Sequence, residues 1–230
     1  DLVGSFDESI DRSIDYDMFI RLATKGRGVA TNQVIFLQRI HEGVRGSKAM
    51  TIASSQREQS WLNHDKRGLS QVHARLDFER YLPEGVPFSQ NRRRAYLQRG
   101  AIMARKKLWG LALNDFHHAQ AISRTPLTQA ERQILRRAML SKYGCLEVIR
   151  HPEISQNLAA LANKSAVGTQ IAQSRARGLV WTIRRNAQAG KLKRSAAFAY
   201  TAMTWAWPFK AGKFIDLLPI EDQIFPIAPD

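Results

Sequence analysis

Apolar residues recur at helical spacing near the amino end of this 230-residue chain. Ile14, Met18 and Leu22 lie four residues apart, so their side chains fall on one face of a helix. This spacing predicts a short amphipathic helix over 13–24. Gly26 is expected to close it, because glycine is the residue most often found just past a helix end.

A strand is predicted next, over 33–41, where the run QVIFLQRIH is rich in β-branched and aromatic residues. From about residue 52 onward the pattern becomes almost wholly helical, with interruptions at clusters of Gly and Pro. The change predicts a mixed, predominantly α fold in three parts. These are an α/β segment at 1–50, a basic helical domain at 51–217 and an irregular tail at 218–230.

Within the helical part, the segment 91–123 resembles a single tetratricopeptide-type hairpin. Arg99 stands where that motif usually has leucine, but its aromatic, glycine, small and core phenylalanine positions are matched by Tyr96, Gly100, Ala112, Phe116 and Ala119. No second copy is found at the required period, and a solenoid needs about three repeats to be stable. The hairpin is therefore predicted to pack inside the domain rather than to form a peptide-binding array.

Two acidic residues at the start of the first predicted helix are candidates for chemistry. Asp17 has Arg21 four residues later on the same face, an acid-before-base pair that favours a structural role. Asp15 has Met18 and Phe19 at the corresponding positions and therefore lies beside apolar surface rather than a cation. A general base should be neither neutralised nor fully hydrated, so Asp15 is the better candidate. Acidic residues at helix starts also stabilise the helix dipole, and that alternative stays open.

The end of the predicted strand carries a cation and an imidazole. Because side chains alternate along a strand, Arg39 and His41 are expected on one side and Ile40 on the other. Such a pair suits a diphosphate, since arginine supplies fixed hydrogen-bond donors and histidine supplies another donor or a metal ligand. An ordinary polar strand end explains the same residues equally well.

The first 47 residues also carry an ordered set of motifs. It runs Gly, Phe-Asp-Glu, a short spacer, Asp-Tyr-Asp with an apolar pair, Ile-Arg-Leu, and a strand ending in Arg-Ile-His-Glu-Gly. This order resembles the final portion of the GT-A catalytic domain in bacterial family 2 glycosyltransferases. The resemblance implies that 1–50 is the end of a Rossmann-like GT-A domain and that an all-α extension follows it.

The resemblance further implies an inverting sugar transfer in which Asp15 is the catalytic base. The implied acceptor contacts are Phe6, Asp7 and Glu8. The implied diphosphate contacts are Arg39 and His41. The implied cofactor is a divalent metal, Mn²⁺ or Mg²⁺, with His41 as a ligand. The implied partners are a nucleotide-sugar donor and a saccharide or lipid-linked acceptor in cell-surface polysaccharide biosynthesis.

The chain departs from the family pattern in places. Ile14 stands where the family usually has an acidic residue before the base, and Ser5 replaces a common glycine. The nucleotide-binding half and its Asp-x-Asp metal motif do not precede the match. Asp15 and Asp17 have that spacing, but a helix directs their carboxylates about 200° apart. We therefore expect this chain to be part of a longer protein and to be inactive alone.

Composition adds an expectation about partners and location. The 35 Lys and Arg against 20 Asp and Glu give a formal charge of +15, which attracts nucleotide diphosphates, acidic lipid headgroups or nucleic acid. The single cysteine, Cys145, excludes an intrachain disulfide and favours a reducing compartment. Neither a leader nor an apolar stretch of about 20 residues is found. We expect a cytoplasmic protein, peripheral at the inner face of the membrane.

Much of the positive charge lies between Ile154 and Phe214, where the sequence has no acidic residue. Helices are predicted there over 166–185 and 190–207. The second helix and the residues after it place aromatic side chains beside lysines: Phe198, Tyr200, Trp205, Trp207 and Phe209. This combination favours a segment lying on an anionic membrane with its aromatics at headgroup depth. A core helix with a solvated basic face is the alternative.

The alternative to an enzyme is a basic helical interaction module that binds an anionic membrane, nucleic acid or a protein partner. No helix-turn-helix, zinc or stacking-sheet signature indicates specific nucleic-acid binding. The hairpin at 91–123 would suit a protein partner.

Overall fold

The computed structural model describes residues 3–6, 8, 14–26, 31–34, 37 and 57–207. Over these ranges the chain is predominantly helical, which confirms the coarse fold class, and none of these residues lies in a strand. The described chain divides into two compact units, of which the first ends at Leu76 and the second begins at Asp77.

The strand predicted over 33–41 falls mostly outside the described residues. Gln33, Val34 and Leu37 are described, and none of the three lies in a strand. The α/β end of a GT-A domain therefore stays a prediction. The domain boundary predicted near residue 50 does too, because residues 38–56 fall outside the described ranges.

Helix α1 (Ile14–Lys25) confirms the amphipathic helix predicted near the amino end. It ends where glycine was expected to end it, since the amide of Gly26 donates to the carbonyl of Leu22 at 2.7 Å and the helix does not continue. The sequence pattern thus located this element to within about a residue at each end.

Helix α2 (Arg57–Arg75) belongs to the same unit as α1. It buries Leu62 and Leu69, which lie seven residues apart and hence on one helical face. The Cδ1 atom of Ile20 on α1 lies 3.9 Å from the position that a Cβ would take at Gly68 on α2. The small residue at 68 therefore leaves room for ordinary van der Waals contact between the two helices.

The second unit contains the helical hairpin predicted over 91–123. Helix α3 (Phe88–Arg105) packs along helix α4 (Trp109–Ile122). Glycine is required at this contact, because a Cβ at Gly100 would lie 2.8 Å from Cε1 of the fully buried Phe116. The packed hairpin is confirmed, whereas its membership in the tetratricopeptide family stays a prediction.

Six further α-helices complete the described part of the second unit. They are α5 (Gln129–Arg137), α6 (Glu147–Arg150), α7 (Pro152–Ala160), α8 (Ala166–Gly178), α9 (Val180–Gln188) and α10 (Leu192–Ala206). Helix α5 packs on α3 and α8, and α8 packs on α10, which in turn packs on α9. The core therefore runs from the hairpin through α8 to α10.

The prediction of one continuous helix over 166–185 is wrong about continuity, because Leu179 separates α8 from α9. The end of α8 presses against the carboxyl end of α5. A Cβ at Gly178 would lie 2.5 Å from the carbonyl oxygen of Arg136 and 3.1 Å from Cβ of Met139. This close approach explains why the chain has glycine where the two helices meet.

Helix α10 corrects the membrane interpretation of its aromatic residues. Phe198 and Trp205 are fully buried, and the indole Nε1 of Trp205 donates to the hydroxyl and the carbonyl oxygens of Ser155 at 3.1 and 3.2 Å. Placing these two rings at headgroup depth was therefore wrong, because both are buried in the core, where Trp205 contacts α7 and α8. Trp207 is exposed, and Phe209 falls outside the described residues.

Candidate functional site

Asp15 lies in the first turn of α1 with its side chain exposed. No cation in the described part of the chain pairs with it. Phe19, one turn further along α1, is exposed as well. The apolar neighbours therefore do not shield Asp15 from water, contrary to the expectation from the sequence, and the carboxylate is open to a bound molecule.

Asp17 is engaged by Arg21, as their spacing predicts. The guanidinium Nε lies 2.9 Å from Oδ2 of Asp17, and Nη1 donates to the carbonyl oxygen of Val3 at 2.6 Å. Gly4 follows with a φ of 73°, in the left-handed region that favours glycine. Arg21 thereby ties segment 3–6 to α1 and occupies Asp17, so the two aspartates have different environments.

Part of the predicted acceptor site lies close to this anchored carbonyl along the chain. Phe6 follows Val3 by three residues and its ring is 55% exposed, and Glu8 is exposed. The remaining predicted site residues fall outside the described ranges, and their placement stays a prediction: Asp7, Arg39 and His41.

The described residues do not by themselves form the implied metal site. No group of three or more His, Cys, Asp or Glu side chains that could hold an ion is found within the described ranges. Asp17 is held by Arg21, so Asp15 and Asp17 do not act as a pair of ligands. The chemistry that the described α1 residues support is proton acceptance at a single carboxylate.

The adjacent histidines of α4 have separate structural partners. The ring of His118 stacks on Tyr96 at a centroid distance of 5.3 Å, and its Nδ1 lies 2.8 Å from the carbonyl oxygen of Asn114. His117 shares a hydrogen bond of 3.1 Å with Gln120, and burial lowers the pKa of its imidazole. The two rings diverge, as their adjacency on a helix predicts.

Several cations of the second unit are internal and paired with carboxylates. Two pairs are buried, Arg93 with Glu131 and Arg99 with Asp115, and in a third the buried Lys107 pairs with the half-buried Glu147. The Arg99 guanidinium donates to both carboxylate oxygens of Asp115 on α4. This pair explains why the chain has arginine where the tetratricopeptide motif usually has leucine. These cations are not available to an external partner.

Arg175 on α8 is fully buried and pairs with no carboxylate among the described residues. Its guanidinium lies over the rings of Phe116 and Trp205, at 4.7 and 5.8 Å from their centroids. Burial lowers its pKa to about 9, and its Nη1 has no hydrogen-bond partner in the described structure. Its Nε and Nη2 donate long hydrogen bonds of 3.4 Å to the carbonyl oxygens of Ile171 and Leu158, so weak hydrogen bonds and aromatic contacts hold this charge at a cost in desolvation.

Exposed cations occur on many of the described helices, and one set of them lies on the basic hairpin, defined here as α9, α10 and their turn, residues 180–207. Arg184, Lys191 and Lys193 are exposed, and the sequence of the hairpin contains no acidic residue. Trp181 is exposed beside them, with the guanidinium of Arg185 at 5.2 Å from its ring centroid.

Known proteins do not identify this site. Comparison with models of protein families, with curated proteins and with solved structures found no match. The proposals below therefore depend on the residues and their geometry, together with the motif order at the amino end.

The exposed apolar residues of α9 are the part of this surface that the sequence pattern missed. Treating 166–185 as one helix gave Trp181 no particular orientation. The available signal was the pairing of Trp181 with Arg185 four residues later, which places ring and cation on one helical face. Leu192, flanked by Lys191 and Lys193, was a second signal of the same kind.

Proposed function

We propose that the chain is part of an inverting glycosyltransferase that moves a sugar from a nucleotide-sugar donor to a saccharide or lipid-linked acceptor in cell-surface polysaccharide biosynthesis. The observation that carries the proposal is the contrast between two aspartates on one helix. Asp15 is exposed without a paired cation among the described residues, whereas Asp17 is bound by Arg21. The motif order around them supports the same assignment.

In the proposed reaction Asp15 accepts the proton of an acceptor hydroxyl. The oxygen then attacks the anomeric carbon of the donor from the face opposite the diphosphate, whose bond to that carbon breaks, so the configuration inverts. The role suits a carboxylate that is not neutralised by a cation, and binding of the acceptor would have to displace the water that the exposed Asp15 carries. The exposed ring of Phe6 would offer an apolar face to a sugar, on a segment that Arg21 fastens to α1.

The proposed location is the cytoplasm, peripheral at the inner face of the membrane. Among the described helices, none combines the length and the apolar character needed to cross a bilayer. A cytoplasmic site suits an enzyme that takes its donor from the pool of nucleotide sugars.

The test compares two matched substitutions in the intact protein that contains this chain. Asp15→Asn should reduce sugar transfer by about 10²-fold or more, because a carboxamide cannot accept the proton. Asp17→Asn, which removes a carboxylate from the same helix, should leave transfer within about threefold and cost only the weak Arg21 pair. Transfer is measured with labelled donor, and circular dichroism checks the fold of each variant.

Two results would reject the proposal. One is near-normal transfer by Asp15→Asn. The other is an equal loss in both variants, which would indicate that α1 as a whole matters rather than one carboxylate.

A basic helical interaction module is the second candidate function. It is favoured by the exposed cations of the basic hairpin, where an acidic counterpart is missing from the sequence.

A further inference from the structure

Helix α10 has a second apolar face that its neighbours leave uncovered. Leu192, Met203 and Trp207 are 68%, 53% and 62% exposed. Eleven residues make about three helical turns and fifteen make about four, so the three side chains share one face of α10 and its carboxyl-terminal cap. Opposite them lie the buried rings that hold α10 in the core. Solvated helix faces are usually polar, so this one is suited to covering by something other than water.

Helix α9 adds an aromatic and an aliphatic side chain to the same hairpin. Val180 and Trp181 are 58% and 56% exposed, and no residue of α9 is buried. The hydroxyl of Ser195 donates to the carbonyl oxygen of Ile183 at 2.9 Å and joins α9 to α10. The hairpin is therefore a fixed element that presents apolar groups on both of its helices.

Charge decides what chemistry can cover these groups. Lys191 and Lys193 flank Leu192 at the turn, and Arg184 is exposed on α9. From residue 154 to residue 215 the sequence has no Asp or Glu, so α8, α9 and α10 supply no carboxylate to pair with these cations. The complementary surface must therefore be anionic and must also accept aliphatic side chains.

We propose that the basic hairpin docks on an anionic lipid bilayer. Its exposed apolar residues enter the headgroup region, and its lysines and arginines contact the lipid phosphates. This assignment uses the surface of α9 and α10 rather than the buried rings of Phe198 and Trp205. It is independent of sugar transfer, because vesicle binding needs neither donor nor acceptor and either proposal can fail alone.

Other anionic or apolar partners fit less well. Nucleic acid would use the cations and could stack on Trp181, but Leu192, Val180 and Met203 would gain nothing from phosphates. A second copy of the chain would cover the apolar face, but a two-fold interface would bring the same cations of both copies together. A bilayer with acidic headgroups offers phosphates to the cations and an apolar interior to the exposed apolar side chains.

The experiment measures cosedimentation of the full chain with vesicles. Binding is compared between mixed phosphatidylcholine–phosphatidylglycerol vesicles and pure phosphatidylcholine vesicles, at low and high salt. We expect binding to the mixed vesicles that falls as salt rises, because exposed charges are screened. Lys191→Gln with Lys193→Gln should weaken it by about fivefold per cation, roughly 25-fold together.

Two further variants separate local chemistry from total charge. Leu192→Gln should weaken binding by about tenfold without changing the net charge. Arg92→Gln with Arg124→Gln is the matched control, since both residues are exposed, at the start of α3 and after the end of α4, and neither helix packs on α9 or α10. The control should bind within about twofold of the parent. All these side chains are exposed, and circular dichroism confirms that each variant is folded.

The proposal is overturned by equal binding to neutral and anionic vesicles, or by a control that loses as much as the lysine variant. It is overturned as well if duplex DNA or RNA competes as well as anionic vesicles do and Leu192→Gln binds normally. Self-association that Leu192→Gln abolishes, with no vesicle binding by the parent, would assign the face to a second copy instead.

Discussion

The ion pair between Arg99 and Asp115 joins the two helices of the α3–α4 hairpin, and removing its acid tests how the hairpin is held together. Arg99 Nη2 lies 2.5 Å from Oδ1 of Asp115, and the two side chains are 9% and 0% exposed. The guanidinium also lies over the ring of Phe78 at 3.9 Å from its centroid. Asp115→Asn leaves this cation buried opposite a neutral group.

The expected cost follows from burial. Breaking a buried ion pair by removing one partner costs about 3–5 kcal/mol, because the remaining charge stays desolvated. For a helical unit of about 130 residues, with an unfolding entropy near 2.1 cal/mol/K per residue, 3 kcal/mol lowers Tm by roughly 10 °C. Thermal unfolding followed by circular dichroism at 222 nm measures this fall.

Two further variants define the interpretation. Arg99→Met with Asp115→Leu removes both charges and should recover most of the lost stability, because packed apolar residues replace a buried pair at little cost. Glu153→Gln breaks a contact with His151 at the surface, where the side chains of His151 and Glu153 are 55% and 65% exposed. This variant should shift Tm by no more than about 2 °C. A Tm for Asp115→Asn within about 2 °C of the parent would refute the reasoning, as would a double variant no better than the single one.

Two other predictions concern charges in the same core. Arg175→Met should raise Tm by a few degrees, corresponding to about 1 kcal/mol, because methionine keeps much of the volume between Phe116 and Trp205 without a desolvated charge; an unchanged or lower Tm would contradict this. Burial favours the neutral form of Glu131, but hydrogen bonds from Arg93 and Thr128 hold the pKa of this carboxyl below its ordinary value of 4.5. The stability that it contributes is therefore present above pH 4.5 and lost as pH falls through the lowered pKa. Urea midpoints from neutral pH to about pH 3 should fall less steeply for Glu131→Gln than for the parent, and parallel curves would contradict the assignment.

The elements that could be predicted from sequence are those whose signals are local. The amphipathic helix α1 and the Asp17–Arg21 pair depend on residues four apart. The hairpin was predicted from the offsets of the tetratricopeptide motif, which Gly100 and Phe116 match. In α1 one helical period fixes which side chains meet, so no knowledge of the tertiary fold is needed there.

The elements that could not be predicted depend on which of two apolar faces meets the core. Helix α10 has aromatic residues on both of its faces, so periodicity alone does not predict whether Trp205 or Trp207 is buried. The stacking of α8 and α9 against α10 decides between them, and that packing comes from other parts of the chain. The Arg99–Asp115 pair also could not be predicted, because its two residues lie on different helices and meet only when the register between α3 and α4 is known.

Net charge alone is weak evidence for an anionic partner in this protein. The buried pairs Arg93–Glu131 and Arg99–Asp115 cancel in the total of +15, and one unit of that charge belongs to Arg175, which is buried beside aromatic rings. What attracts a partner is the exposed charge that remains, and on the basic hairpin it coincides with exposed apolar side chains and lacks acidic neighbours in sequence. Since the arginine control variant removes as much charge as the lysine variant, a difference between the two measures location rather than net charge.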